Sequence, residues 1–135
     1  MRYLTLLLIC SLFIGCFPLE NGVETYQLDG GTFDVDIYVV VCESEIKAYN
    51  YISINLDSSV KQEDFNAGGV TFDQQNGNIV IWLRNTNDKS INAHELLHTN
   101  IAIMNLVNIP LKEDTEEVYA YELGYLTRQF YQKIN

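Results

Sequence analysis

Five consecutive residues, His94-Glu95-Leu96-Leu97-His98, constrain this chain more than any other stretch of it. They hold both histidines of the sequence, four residues apart, with a glutamate beside the first. On an α-helix, positions i and i+4 lie on one face, so the two imidazoles would project together. Such a pair can chelate a Zn²⁺, and the glutamate can take a proton from water the metal polarises. The competing use of the same residues is packing, with two core histidines and a solvated glutamate. The surroundings of the motif have to decide.

Those surroundings are helical. Asn85-Thr86-Asn87-Asp88 breaks the preceding strand and offers helix N-caps, and a helical pattern runs from Lys89 to about Asn108. Its second half (Ile101, Ala102, Ile103, Met104, Leu106, Val107) is apolar almost all round, which predicts a central, buried helix stopped by Pro110. After a turn over Lys112 to Thr115, a second long helix is expected from Glu116 to about Gln132. Ala120 and Gly124 stand one turn apart on it, a small-residue face against which a neighbouring helix could pack closely.

Upstream, Val35 to Cys42 (VDIYVVVC) is rich in β-branched and aromatic residues and reads as a buried strand. Ser44 to about Ile52 reads as a short helix, Asn55 to Gly69 as a long loop, and Thr25 to Gly31 as a polar approach ending in a turn. Val70-Thr71-Phe72 and Ile79 to Leu83 flank Asn76-Gly77, the signature of a hairpin. A two-residue type I′ turn there pairs Phe72 with Ile81 and Val70 with Leu83. The fold class expected is α+β: a small, mostly antiparallel sheet packed on the motif helix and a second long C-terminal helix.

At 135 residues the chain is long enough for one domain with a real core. Its formal net charge of −10 and pI near 4.4 argue against nucleic acid or an anionic membrane surface as partner. Residues 1–19 (MRYLTLLLICSLFIGCFPL) read as a leader, and residues 20–135 as the body. Its apolar run, Leu4 to Ile14, has the length of a signal-peptide core and is short for a bilayer span. Phe13-Ile14-Gly15-Cys16 resembles a bacterial lipobox, with phenylalanine where leucine is usual, and implies export and a membrane tether through Cys16. If the leader is instead translated from upstream of the true start, the domain is cytoplasmic. Cys42 is the only cysteine of the body, so no internal disulfide and no paired-cysteine zinc site is available there.

A hydrolytic zinc site needs three protein ligands and an open position for water. With no third histidine, a carboxylate remains. Glu117 lies nineteen residues beyond His98, in the first turn of the second helix, behind a loop short enough to make the two helices antiparallel neighbours. A structural use competes here too: with Asp114 as N-cap, Glu117 would be the N3 glutamate of a capping-box-like arrangement.

The order HExxH, short connection, then a glutamate opening a second helix resembles the gluzincin branch of the zincin metallopeptidases. Glu117-Val-Tyr-Ala120 matches the ligand glutamate followed three residues on by a small residue. Ile79 to Leu83, Ala93 to His98 and Glu116 to Tyr121 are more closely similar to small phage- and prophage-encoded HExxH proteins, over roughly residues 34–131. The resemblance implies a peptidase whose Zn²⁺ is held by His94, His98 and Glu117, with Glu95 as general base and a peptide or protein as substrate. It departs from the family at Tyr121, where many gluzincins carry an aspartate that braces a zinc histidine; Glu116 therefore stays open as third ligand.

Tyr119 and Tyr121 are candidate oxyanion donors, with packing as their competing role. Ile79 to Leu83 is either a free edge for an extended peptide or a buried inner strand. The domain is expected to be monomeric. The alternatives are a zincin-fold binding module without turnover and an envelope-tethered lipoprotein of a phage or mobile element.

Overall fold

A computed structural model of the chain describes residues 22–74 and 76–135; the leader lies outside them. The body is α+β, as expected. Four strands, β1 (Glu24–Asp29), β2 (Asp36–Val41), β3 (Gly69–Asp73) and β4 (Ile79–Leu83), form one sheet in the order β1-β2-β4-β3. β1 is antiparallel to β2, and β3 to β4, while the central pair β2 and β4 is parallel. Three helices, α1 (Glu45–Asn55), α2 (Lys89–Leu106) and α3 (Glu116–Ile134), cover the two faces. Among the described residues, no helix is long and apolar enough to cross a membrane.

The two central strands are buried on both sides, which is why both read as runs of β-branched residues rather than as alternation. One face carries Ile37, Val39, Ile79, Ile81 and Leu83 against Leu96 and Ile103 of α2 and Leu126 and Phe130 of α3. The other carries Val40, Val80 and Trp82 against Ala48 and Ile52 of α1 and Phe65 of the following loop. Trp82 buries its ring there and donates its Nε1–H to the Cys42 carbonyl at 3.0 Å, so its one polar atom is satisfied. β4 is thus an inner strand, and the free edge beside it belongs to β3.

Several expectations are corrected. Residues 24–29 form edge strand β1 rather than a polar approach; only Leu28 is buried, so the strand carries too little apolar pattern to announce itself. The hairpin is slipped by one residue: Val70 pairs with Trp82, Thr71 with Ile81 and Phe72 with Val80. The turn is one residue longer than a type I′ turn. Gln74 pairs with Asn78 across residues 75–77, the Gly77 N–H donates to the Gln74 carbonyl at 3.1 Å, and Gly77 takes φ +87°. A three-residue loop with a left-handed glycine at its end has this form. Because side chains alternate, the slip sends Val70 and Phe72 to the α1 face and turns Gly69 and Thr71 towards α2.

α2 is capped by Asp88, whose carboxylate accepts from the Ser90 and Ile91 N–H groups, both at 3.1 Å. It is not buried all round: Ala102, Ile103 and Met104 are buried, while Leu97, Ile101 and Leu106 are exposed. Nor does Pro110 end it. Asn108 adopts φ +57°, its N–H donates to the Asn105 carbonyl and that of Ile109 to Met104, a Schellman closure that ends the helix at Leu106, before the proline is reached.

On α3 the packed residues are Tyr119, Glu122, Leu126 and Phe130. Ala120 and Gly124 are both exposed, and a Cβ on Gly124 would meet nothing within 4 Å. The small-residue face therefore points away from the motif helix. α3 is fastened to β1 instead. The Gln129 side chain donates to the Asp29 carbonyl at 2.8 Å and accepts from the Asp29 N–H at 3.2 Å, while the Tyr125 hydroxyl donates to the Asp29 carboxylate at 3.2 Å.

Candidate metal centre

α2 presents its two faces differently, and the motif is divided between them. Leu96, Thr99 and Ile103 face the sheet, whereas His94 and His98 are exposed. Their Nε2 atoms lie 3.0 Å apart, with the rings nearly perpendicular at 76°. The spacing expected from the sequence is realised. Two nitrogen ligands at ~2.0–2.1 Å from a tetrahedral zinc would stand roughly 3.3–3.4 Å apart, within a few tenths of an ångström of this separation. The pair therefore fits a metal as two of its ligands.

Glu95 lies beside the pair but is buried, only 4% exposed, so it is not the solvated glutamate of the packing alternative. Glutamates are almost never this buried unless partnered. The partner is Thr71 of β3, whose hydroxyl lies 2.7 Å from Glu95 Oε2 and 3.2 Å from the Glu95 carbonyl. A hydroxyl has one hydrogen, and the shorter contact is the one it favours. The carbonyl accepts at 2.8 Å from the Thr99 hydroxyl one turn on.

Below the glutamate, Gly69 leaves room for it: a Cβ there would stand 3.0 Å from Glu95 Cγ, 3.3 Å from Oε1 and 2.7 Å from Ile91 Cγ2. The turn that slips the hairpin register is what delivers both Gly69 and Thr71 to Glu95. Neither stood out in the sequence, because Asn76-Gly77 fits a two-residue and a three-residue turn alike.

Glu117 is exposed in the first turn of α3, as is Glu116. The helix is capped by Thr115 rather than Asp114 and has no side-chain capping bond, so Glu117 is not engaged in a capping box. Glu117 lies about 160° around the helix from buried Tyr119. Among the described residues, no third histidine, cysteine, aspartate or glutamate joins the histidine pair in a group that could hold a metal. The fold thus brings His94 and His98 together and buries Glu95 against β3, while Glu116 and Glu117 stand exposed at the start of α3, outside any such group.

That start is anchored to α2 by Asn100, a buried residue the sequence did not single out. Its Nδ2 donates to the Tyr119 carbonyl at 3.0 Å. The Tyr119 hydroxyl donates to the Ile109 carbonyl at 2.8 Å, which makes it a structural tie across the connection rather than a free oxyanion donor. Tyr121 is 78% exposed. Cys42 is a free, buried cysteine in the core cluster on the α1 face of the sheet. No protein-family model matches this chain, and neither the curated proteins nor the solved structures give a match.

Proposed function

We propose that this chain is a small zinc-dependent peptidase in which His94 and His98 hold the metal and Glu95 is the general base. The observation that carries this reading is the convergence of the two Nε2 atoms at 3.0 Å on an open helix face, next to a glutamate fixed by a hydrogen bond. The third ligand in this reading is Glu117, with Glu116 as its alternative; both begin α3, which Asn100 ties to α2.

Bound zinc would supply Lewis acidity, making water nucleophilic near neutral pH and polarising a peptide carbonyl. The chain's own groups do the rest. Glu95 accepts the proton of the attacking water and returns it to the leaving amine nitrogen. The unpaired edge of β3, the strand that carries Thr71, offers main-chain groups to an extended peptide laid alongside α2. With Tyr119 committed to Ile109, the oxyanion donor is not drawn from that hydroxyl.

The test is cleavage of fluorescein-labelled casein by the zinc-loaded full chain, beside Glu95→Gln and in the presence of 1,10-phenanthroline. Cleavage abolished by both supports the reading. Activity that survives Glu95→Gln contradicts it, and stoichiometric zinc without turnover favours the binding-module alternative.

A further inference from the structure

We propose that Thr71 is a positioning residue for Glu95, fixing one carboxylate oxygen so that the other meets the reacting water. The inference rests on the peptidase reading and adds to it a residue outside the motif.

On the side turned towards α2, β3 lies against an apolar stretch of β4. Its cross-strand neighbours there, Ile79, Ile81 and Leu83, are all buried and apolar. Thr71 places a hydroxyl in that setting, opposite Ile81. A hydroxyl in an apolar layer costs free energy unless it is hydrogen-bonded, and here its 2.7 Å partner is Glu95 Oε2. The bond runs to the carboxylate and so is charge-assisted when Glu95 is ionised.

The two carboxylate oxygens are treated differently. Oε2 is held by Thr71. Among the described residues, Oε1 has no hydrogen-bond partner and is not one of the side-chain atoms sealed from solvent without one. Gly69 makes room for this arrangement, because a Cβ there would stand 3.0 Å from Glu95 Cγ and 3.3 Å from Oε1. The Thr99 hydroxyl on the Glu95 carbonyl ties the backbone of the same residue. Glu95 is thus tied at its backbone carbonyl and at one carboxylate oxygen, and the other oxygen has no hydrogen-bond partner among the described residues. Proton transfer needs a base held within hydrogen-bond reach of its proton, so loss of the Thr71 tie should reduce turnover more than substrate binding.

The experiment compares the full chain with Thr71→Val and Thr71→Ser. Zinc per chain, melting temperature, kcat and KM on a fluorescence-quenched peptide mixture, and the Kd for acetohydroxamate are measured for each. Acetohydroxamate chelates zinc and needs a fixed acceptor for its hydroxyl proton, so it reports the position of Glu95 without turnover.

In Thr71→Val, zinc stays at one per chain, kcat falls about 10- to 100-fold, KM stays within about twofold, and acetohydroxamate binds about tenfold more weakly. Thr71→Ser, which keeps the donor, recovers most of both losses. Should Thr71→Val fail to fold, Thr71→Ala against Thr71→Ser makes the same comparison. The inference is overturned if the Val variant keeps wild-type kcat and acetohydroxamate affinity, or if the Ser variant is as impaired as the Val variant. Zinc without turnover in the wild type overturns the peptidase reading alone, and the acetohydroxamate affinities then decide this one. A wild-type chain that takes up no zinc overturns both.

Discussion

Replacing Gly69 by alanine tests the packing on which the site depends, and its size can be worked from distances. The added methyl would stand 2.7 Å from Ile91 Cγ2 and 3.0 Å from Glu95 Cγ, against an ordinary carbon–carbon contact of ~3.5–4.0 Å. Ile91 is branched and packed against the core, so the strand or the helix has to move. Overpacking of this kind costs about 1–3 kcal/mol. Alanine also restricts the unfolded chain, which offsets about 0.4–1 kcal/mol.

The net expectation is a loss of about 0.5–2 kcal/mol, or roughly 2–8 °C in Tm for a domain of this size. Urea denaturation followed by circular dichroism measures it. Gly124→Ala is the internal control. Its methyl meets nothing within 4 Å and sits inside α3, so it should stabilise by about 0.5–1 kcal/mol. One substitution at two sites thus has opposite signs. A neutral or stabilising Gly69→Ala would refute the close approach of β3 to Glu95. A destabilising Gly124→Ala would mean that the small-residue face of α3 is covered in solution.

Two further outcomes follow from the seams around α3. Glu122 is buried and lies near Asp29, and burial first, then the Asp29 charge, raise its pKa above the usual carboxylate range. A folded-state pKa raised above the unfolded value favours the protonated form. The stabilising contribution is therefore complete below the unfolded carboxylate pKa and is lost as pH rises through the folded one. Glu122→Gln should gain stability relative to wild type as pH is raised from 4 to 8 in a denaturation series, and a pH-independent difference would refute this. Asn100→Ala removes the tie between α2 and the first turn of α3 and should destabilise by about 1–3 kcal/mol in the same assay. Because α3 carries the proposed third ligand, the variant should also bind zinc more weakly in a competition titration with a chromophoric chelator; unchanged affinity would contradict that placement.

The elements legible in the sequence were those whose pattern is strong locally. The central strands β2 and β4 showed as apolar β-branched runs, and α2 as a motif helix with a cap at Asp88. The convergence of His94 and His98 followed from helix periodicity alone. What was missed depends on single residues or on tertiary choice. Edge strand β1 buries only Leu28, so its polar residues masked it.

The hairpin register turned on whether Gly77 closes a two- or a three-residue loop, and Asn76-Gly77 is compatible with both. That one-residue difference put Thr71, rather than Phe72, on Glu95, and no periodicity could have signalled it. On α3 the sequence offered small residues as a packing face, but the helix docks through Leu126 and Phe130. Larger apolar side chains bury more area, and the small face was left outside. The proposed third ligand was the least legible part of the candidate site, because whether Glu117 can reach the histidines depends on how α3 is set against α2.

Bound metal tests the central claim most directly. Elemental analysis of the purified full chain, beside His98→Ala and Glu117→Ala, is expected to give one zinc per chain in the wild type. It should give none in His98→Ala and less than one in Glu117→Ala, with Glu116→Ala at the wild-type value. A wild-type chain that holds no zinc after reconstitution and dialysis would contradict the account and leave the two histidines as an exposed pair without a metal.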